Sequence, residues 1–355
     1  MSDSTATFTN ATCPVPLRHV DRIVMGHGSG GIMSHELINR LFLPPFDNPI
    51  LRAGDDSGVV DGVMGTRLAF STDAHVVSPL FFPGGDIGKL AVCGTVNDIA
   101  MMGAAPAYLT ASFILEEGLE ISVLQKIIDS MQAAASEAGI QIVAGDTKVV
   151  QKGNADGLYI TTSGIGQIPA KVDIGGAKAK PGDVIILSGT IGDHGIAVLA
   201  ARGELGFEAE VQSDIAPLNH LVEEMLKVSP IGIHVLRDPT RGGLATTLNE
   251  IASQSQASLV IREETIPVRP AVAAACEMLG FDPLYVANEG KLVAIVESTV
   301  ADQILTAMRR TRYGEGSVII GEVQATPAGR VLMKTTIGST RIVDKLSGEM
   351  LPRIC

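Results

Sequence analysis

Between residues 121 and 139 the apolar positions of ISVLQKIIDSMQAAASEAG fall at Leu124, Ile127, Ile128, Met131, Ala135 and Ala138. That spacing marks one face of a helix, and Gly139 supplies its C-terminal stop. The pattern then changes, and IQIVAGD and GLYITTSGIGQI (157–168) read as strands. AKVDIGGAKAKPGD (170–183) is polar, rich in Gly and Lys and carries a proline, so it predicts a boundary between domains. Beyond it VIILSG reads as a buried strand, TIGDHG as a loop and IAVLAARGE as a helix. LVAIVES and SVIIGEV continue a second α/β unit to about residue 345. The expected organisation is a disordered N-terminal extension (1–20), a first domain (21–170), a second α/β domain (178–345) and a mobile C-terminal tail (346–355).

Composition narrows this picture. A chain of 355 residues, 46% hydrophobic, can bury a sizeable core in two domains. Lys+Arg 27 against Asp+Glu 39 leaves a net charge of -12. That balance argues against a nucleic-acid partner, whose phosphates need basic patches, and means that a bound phosphate ligand should be bridged by a divalent cation. MSDSTATFTN at the N-terminus lacks the basic and apolar regions of a secretory signal. The longest uncharged stretch, IAMMGAAPAYLTASFIL (99–115), is interrupted by Gly103 and Pro106 and reads as a helix end, a loop and a strand, so no membrane span is expected. Cys13, Cys93, Cys276 and Cys355 form no Cys-x-x-Cys pair, which fits a reducing cytoplasm. Cys93 and Cys276 sit in apolar helical patterns as core residues, leaving Cys355, the last residue of LPRIC, as the exposed thiol.

GHGSGG (26–31) satisfies Gly-x-Gly-x-x-Gly, but no acidic residue follows at a strand end to close a ribose, so a dinucleotide fold is not supported. Gly28, Gly30 and Gly31 remain candidates for close approach to phosphate oxygens. Carboxylates are the stronger signal, because they recur where loops leave apolar segments: AGDDSG with Asp55 and Asp56, STDAH with Asp73, GTVNDIAMMGA with Asp98, IVAGDTK with Asp146 and RDPTRGG with Asp238. Several such groups converging from different strands could hold magnesium against a triphosphate. Taken singly, each is as well explained by a turn or a helix cap. Asp98 differs, since it follows Asn97 in an apolar helical stretch where an unpaired carboxylate is costly, with Lys89, Cys93 and Asn97 as a stripe leading to it.

Taken together and in this order, GDDSG, STD, NDIAMMGA, GDTK and DPTRGG resemble the superfamily of ATP-dependent enzymes that includes aminoimidazole ribonucleotide synthetase, thiamine-monophosphate kinase and selenophosphate synthetase. More narrowly, HGSGG, PLFFPGGDIGKLAVCGT, FILEEGL, GDTKVVQ, GTIGDHG, ANEGKL and the terminal PRIC resemble the HypE family, carbamoyl dehydratases of nickel–iron hydrogenase maturation. The resemblance implies a two-domain α/β fold (α+β type) whose N-terminal domains pair as a dimeric β-barrel. It implies ATP and Mg2+ as cofactors, HypF as carbamoyl donor, and a HypC–HypD complex as acceptor of the cyanide. On it, Cys355 carries an S-carboxamide that ATP-driven dehydration converts to an S-cyanate. Asp55, Asp56, Asp73, Lys89, Asn97, Asp98, Asp146 and Asp238 match the family's ATP and magnesium positions, with Asp56, Asp98 and Asp238 as the metal ligands. Glu289 in ANEGKL and Lys148 in GDTK are placed to handle the amide protons, since a partly buried Glu or Lys can be tuned toward neutral pH. Glu289 could instead pair with Lys291. His194 could face the site, though it reads more readily as a satisfied loop histidine; Arg353 reads as a group offsetting the terminal carboxylate, and the tail as a segment that docks and releases. Two alternatives stand beside this: a small-molecule phosphotransferase of the same superfamily, and a non-enzymatic nucleotide-dependent scaffold.

Overall fold

The computed structural model describes residues 23–203, 210–346 and 353–355. The extension called over 1–20, Cys13 and most of the tail (347–352) lie outside the described residues.

Three short helices open the chain: α1 (Ile32–Leu37), α2 (Leu43–Phe46) and α3 (Pro49–Ala53). The first sheet is built from β1 (Gly58–Asp61) and β2 (Arg67–His75) with β5 (Ala105–Glu116), β6 (Gln141–Val150) and β7 (Leu158–Ile168). Between them come a two-stranded ribbon, β3 (Phe81–Phe82) and β4 (Gly85–Asp86), and the helices α4 (Ile87–Met101) and α5 (Ile121–Ala138). The strand order is β1-β2-β7-β5-β6, antiparallel except for the parallel β5/β6 pair that α5 connects. A second sheet follows, made of β8 (Val184–Leu187), β9 (Ile233–Arg237), β10 (Ser258–Arg262), β11 (Val293–Val296), β12 (Val318–Gln324), β13 (Arg330–Lys334) and β14 (Thr340–Ile342). Its order is β14-β13-β10-β12-β8-β11-β9. It carries α6 (Asp193–Ala201), α7 (Asn219–Val228), α8 (Gly243–Ser255), α9 (Pro270–Leu279) and α10 (Ala301–Arg309).

The helix over 121–138 ends at Gly139, whose φ of 72° is the left-handed stop the sequence implied. Ile128, expected on its buried face, is exposed instead. The segment before GHGSGG is extended only at its end and runs into a single 3-10 turn, Met25–Gly28, so no strand precedes the glycines in the described residues. Helix α6 begins at Asp193, three residues earlier than the pattern suggested.

Helix α4 is apolar nearly all round and correspondingly buried on every side. Asp86 caps it by accepting from Gly88 N (2.7 Å) and Lys89 N (3.1 Å). It lies across β2, β5 and β7, and Gly164 and Gly166 of β7 let it settle: a Cβ at Gly164 would stand 2.6 Å from Ile99 Cδ1. One apolar cluster joins α4 to Leu221, Val222 and Met225 of α7 and to Ala294 and Val296 of β11, so the two sheets share a core. The other face of the first sheet is open. Phe70, Tyr108, Ile114, Ile142, Val143 and Val149 are exposed there and on edge strand β6, whose residues are almost all exposed.

Candidate active site at the junction of the two sheets

Period-two alternation along β2 turns Ser71, Asp73 and His75 toward α4 and leaves Phe70, Thr72 and Ala74 on the open face. Ser71 donates its hydroxyl to Asp98 Oδ2 across the sheet–helix gap. Asp73 lies beside α4 at Gly94, where a Cβ would be 3.5 Å from its Oδ2. From the second sheet, the end of β9 delivers Arg237 and Asp238 to the same junction. The Arg237 guanidinium lies 2.8 Å from Asp56 Oδ1 through Nε and donates to Glu250 Oε2 (2.6 Å) and the Gly54 carbonyl (2.9 Å). Asp56 Oδ2 is buried with no hydrogen-bond partner.

Burial lifts Asp56 well above the ordinary carboxylate range, against the pull of Arg237. Burial lifts Asp98 likewise, helped by the charges of Asp238, Asp56 and Asp73. Asp238 is pushed up to about 6, again chiefly by burial. The protein therefore gathers mutually repelling carboxylates in a site that lacks enough positive charge to balance them. A cavity of about 290 Å³ opens beside them, lined by Gly28, Gly30, Asp56, Asp238, Arg241 and Glu250 among others.

The terminal residues dock at the same junction. The Ser78 amide donates to the Arg353 carbonyl (3.2 Å), His194 Nε2 to the Ile354 carbonyl (2.7 Å) and the Val76 amide to a terminal oxygen of Cys355 (3.1 Å). Ile354 is 3% exposed, inside the cluster that holds Val77, Phe82 and Val198. The Cys355 thiol lies in the field of the Glu289 carboxyl and of Arg241. Burial pushes this thiol up; Arg241 pulls it down, and Glu289 and Asp73 add to the rise. Glu289 is 4% exposed and its own carboxyl is driven well above the usual range by burial, then by Asp238, Asp73 and Asp214. Its Oε1 has no hydrogen-bond partner. Gly290 permits this placement, since a Cβ there would overlap the Asp214 carbonyl at 1.8 Å. The pairing with Lys291 that the sequence left open is absent: Lys291 Nζ lies 3.4 Å from Asp214 Oδ2.

The structure thus brings Cys355, Glu289, Asp73, Asp98, Asp56 and Asp238 into one electrostatic neighbourhood, with Gly28 and Gly30 at its cavity. Other sequence candidates are placed differently. Asn97 is buried; its side-chain NH2 donates to the Ala216 (3.0 Å) and Glu289 (3.3 Å) carbonyls and its oxygen accepts from the Leu218 amide (2.8 Å). It joins the two sheets through main chain. Asp55 caps Gly176 N (2.7 Å). Gly31 packs on the Leu346 carbonyl, where a Cβ would be 2.6 Å away. Lys89 points its Nζ toward the Gly84 carbonyl at 3.5 Å. Asp146 and Lys148 stand exposed on β6, paired with each other at 2.6 Å. Arg353 pairs with Asp156 rather than with the terminal carboxylate, so the compensating cation at the thiol is Arg241. His194, expected as a satisfied loop residue, is buried on α6 and holds the tail. Arg202, which donates to the Arg353 and Ser78 carbonyls, was not anticipated at all.

No three His, Cys, Asp or Glu side chains among the described residues are arranged to hold a metal ion alone. Magnesium does not demand that, since it commonly takes one or two carboxylates and completes its shell with water and phosphate oxygens.

A two-sheet chain with loop carboxylates and a phosphate-sized cavity at the junction defines a class, and both halves match it: residues 54–168 fit the model of the AIR synthase related protein, N-terminal domain, and 180–334 that of the C-terminal domain. Within that class, the carbamoyl dehydratase HypE of Cupriavidus necator is 58% identical over 334 residues, covering 94% of this chain and 95% of the relative. A solved structure described as a HypE–HypF complex superposes with a TM-score of 0.83 at 49% identity, covering 87% of this chain and 99% of that one. One described as HypE in complex with ATP gives 0.78 at 51% identity, covering 93% and 98%. The chain belongs to the carbamoyl dehydratase HypE family.

Proposed function

We propose that the chain catalyses the ATP-dependent dehydration of a carboxamide carried on its own C-terminal thiol, converting Cys355 S–C(O)NH2 to S–C≡N. The observation that carries this is the C-terminal residue docked by its main chain at the junction of the two sheets, with its thiol in the field of the buried Glu289 carboxyl, whose Oε1 has no hydrogen-bond partner. An amide oxygen is a poor leaving group. It attacks the γ-phosphorus of ATP and expels ADP; the C–O bond then breaks to release phosphate while the nitrogen gives up both protons as the triple bond forms. Glu289 sits against the sulfur that bears this group, and a carboxyl raised toward neutral pH is suited to take those protons. Arg241 offsets charge developing around the sulfur.

Asp56, Asp98 and Asp238 would hold magnesium: their raised affinity for protons and the unpartnered Asp56 Oδ2 suit them to a cation. Magnesium would supply neutralisation of the transferred phosphoryl group. The open face of the first sheet, rich in exposed apolar residues, supports a homodimer through that sheet, which would close it into a barrel. In such a dimer the exposed Asp146 and Lys148 of β6 would serve a site that includes the second copy. HypF, bound by a relative, fits the role of carbamoyl donor, and a HypC–HypD complex that of cyanide acceptor. No described helix is long and apolar enough to cross a membrane, in keeping with work in the cytoplasm. A phosphotransferase acting on a free small molecule would have no use for the seat built around the last three residues.

The test is to load Cys355 with carbamoyl from a HypF-type transferase, add magnesium ATP and weigh the C-terminal peptide. Loss of one water that requires hydrolysable ATP and fails in Glu289→Gln supports the assignment; ATP consumption with the tail unchanged sinks it.

A further inference from the structure

The last three residues are held mostly through their own main chain. Val76 and Ser78 amides meet terminal and Arg353 oxygens, the Arg202 side chain donates to the Arg353 carbonyl, and the His194 side chain takes the carbonyl of Ile354, the peptide bond that immediately precedes the reacting residue. A carbonyl only accepts, so His194 Nε2 must carry the proton in this contact. Nδ1 then accepts from the Ser213 hydroxyl at 2.8 Å, and Ser213 Oγ in turn accepts from the Ile215 amide at 3.2 Å. Ser213 is itself fixed by its amide donating to the Pro83 carbonyl (2.8 Å). The ring packs edge-on against Phe82, with centroids 5.5 Å apart. His194 is fully buried, and both its nitrogens are used. This relay has one donor to spend and spends it on the tail.

We propose that His194 is the positioning residue that seats the C-terminal thiol, by donating from Nε2 to the Ile354 carbonyl in the tautomer whose Nδ1 accepts from Ser213. The inference rests on the dehydratase reading above and adds to it the group that orients Cys355. Fixing that carbonyl fixes the plane of the last peptide bond. Only rotations within Cys355 itself then remain to bring sulfur to Glu289. Without the contact the same tail samples many orientations, and misplacement of a reacting group by about 1 Å costs up to ~100-fold in rate. His194 never touches the reacting atoms, so its effect falls on the rate of the docked step and leaves ATP binding alone.

Full-length wild type, His194→Ala, His194→Gln and Ser213→Ala would be carbamoylated on Cys355 with cyanate, which removes any dependence on a partner enzyme. Single-turnover water loss from the C-terminal peptide after magnesium ATP is then timed, alongside nucleotide affinity and melting temperature. The expected result is a slowing of about tenfold or more in His194→Ala with unchanged nucleotide affinity. His194→Gln, whose amide can still donate at that position, should recover most of the rate, and Ser213→Ala should fall between. Wild-type speed in His194→Ala overturns the proposal while leaving the dehydratase reading intact. Equal slowing in the Ala and Gln variants, tracking a common drop in melting temperature, also overturns it, because the role is then structural. Absence of water loss in wild type overturns the dehydratase reading instead.

Discussion

Ile354→Ala isolates the energetics of tail docking. Ile354 is buried at 3% exposure in a cluster with Val77, Phe82 and Val198, and it is the apolar anchor among the described tail residues. Truncation to Ala removes three carbons, each worth about 0.8 kcal/mol on burial, or about 2.4 kcal/mol in all. No cavity penalty for the folded core is added, because a terminal segment can leave the site instead of collapsing onto it. At ~1.4 kcal/mol per decade the docking equilibrium falls by about 50-fold. The hydrogen bonds to the tail from the Val76 and Ser78 amides and the His194 side chain persist in the docked form, so the geometry of the bound thiol is unchanged and only its population drops. The assay is the alkylation rate of Cys355 by iodoacetamide, read from the mass of the C-terminal peptide. Cys93 and Cys276 serve as buried internal controls. Alkylation should rise by a factor of tens while the melting temperature holds. A change below about threefold would refute the view that apolar burial of Ile354 holds the thiol in place.

Further expectations follow from the site. Asp238 has its folded-state affinity for protons raised, to about 6, so the folded chain binds more protons than the unfolded one between about pH 4 and 6 and loses stability as pH rises through that window. Above it the penalty persists, on the order of 1–3 kcal/mol. At pH 7 and without divalent cation, Asp238→Asn should therefore melt about 2 °C or more above wild type, and magnesium ATP should stabilise wild type more than the variant in differential scanning fluorimetry. Asn97→Ala strips partners from the Leu218 amide and the Ala216 and Glu289 carbonyls, all at the seam of the two sheets. It should cost about 2–4 kcal/mol, seen as a melting drop on the order of 5 °C. Ile142→Asp places charge on the exposed apolar edge of the first sheet and should shift a dimer to monomer in sedimentation velocity without unfolding it.

Much of this was legible in residues before any coordinates. Helix α5 announced itself through Ile127, Met131, Ala135 and Ala138 with Gly139 at its end, because an amphipathic surface helix has one dry face to display. Helix α4 displayed no such face. Its stripe of Lys89, Cys93 and Asn97 looked like a path to a ligand, yet Asn97 is spent on joining main chain across the domain seam, a demand set by residues more than a hundred positions away. Asp98 stands out in the sequence as a costly carboxylate because its apolar helical surroundings are visible locally, and in the structure burial lifts its carboxyl above the ordinary range. Arg241 and His194 were missed in their roles for the opposite reason: what gives each its meaning is the docked tail, and nothing near DPTRGG or GDHG announces where a C-terminus will land. The double-glycine context offered a faint signal at one of them, because Gly30 lies against the Arg241 side chain, where a Cβ would be 3.1 Å away.

The chemistry of the docked thiol also separates two stages of its work. Burial and the carboxyl of Glu289 disfavour the thiolate in the docked position, and Arg241 offsets only part of that cost. A thiol must be ionised to attack a carbamoyl donor, so the docked seat is a poor place to load. An S-carboxamide carries no charge to desolvate, and its oxygen and nitrogen can use the hydrogen-bonding capacity that Glu289 leaves unspent at Oε1. The penalty falls on the thiolate alone, and both the neutral thiol and the neutral carbamoylated group dock without it. The same burial that makes Cys355 a reluctant nucleophile inside the site accepts its carbamoylated form, so loading is favoured on the released tail and dehydration on the docked one.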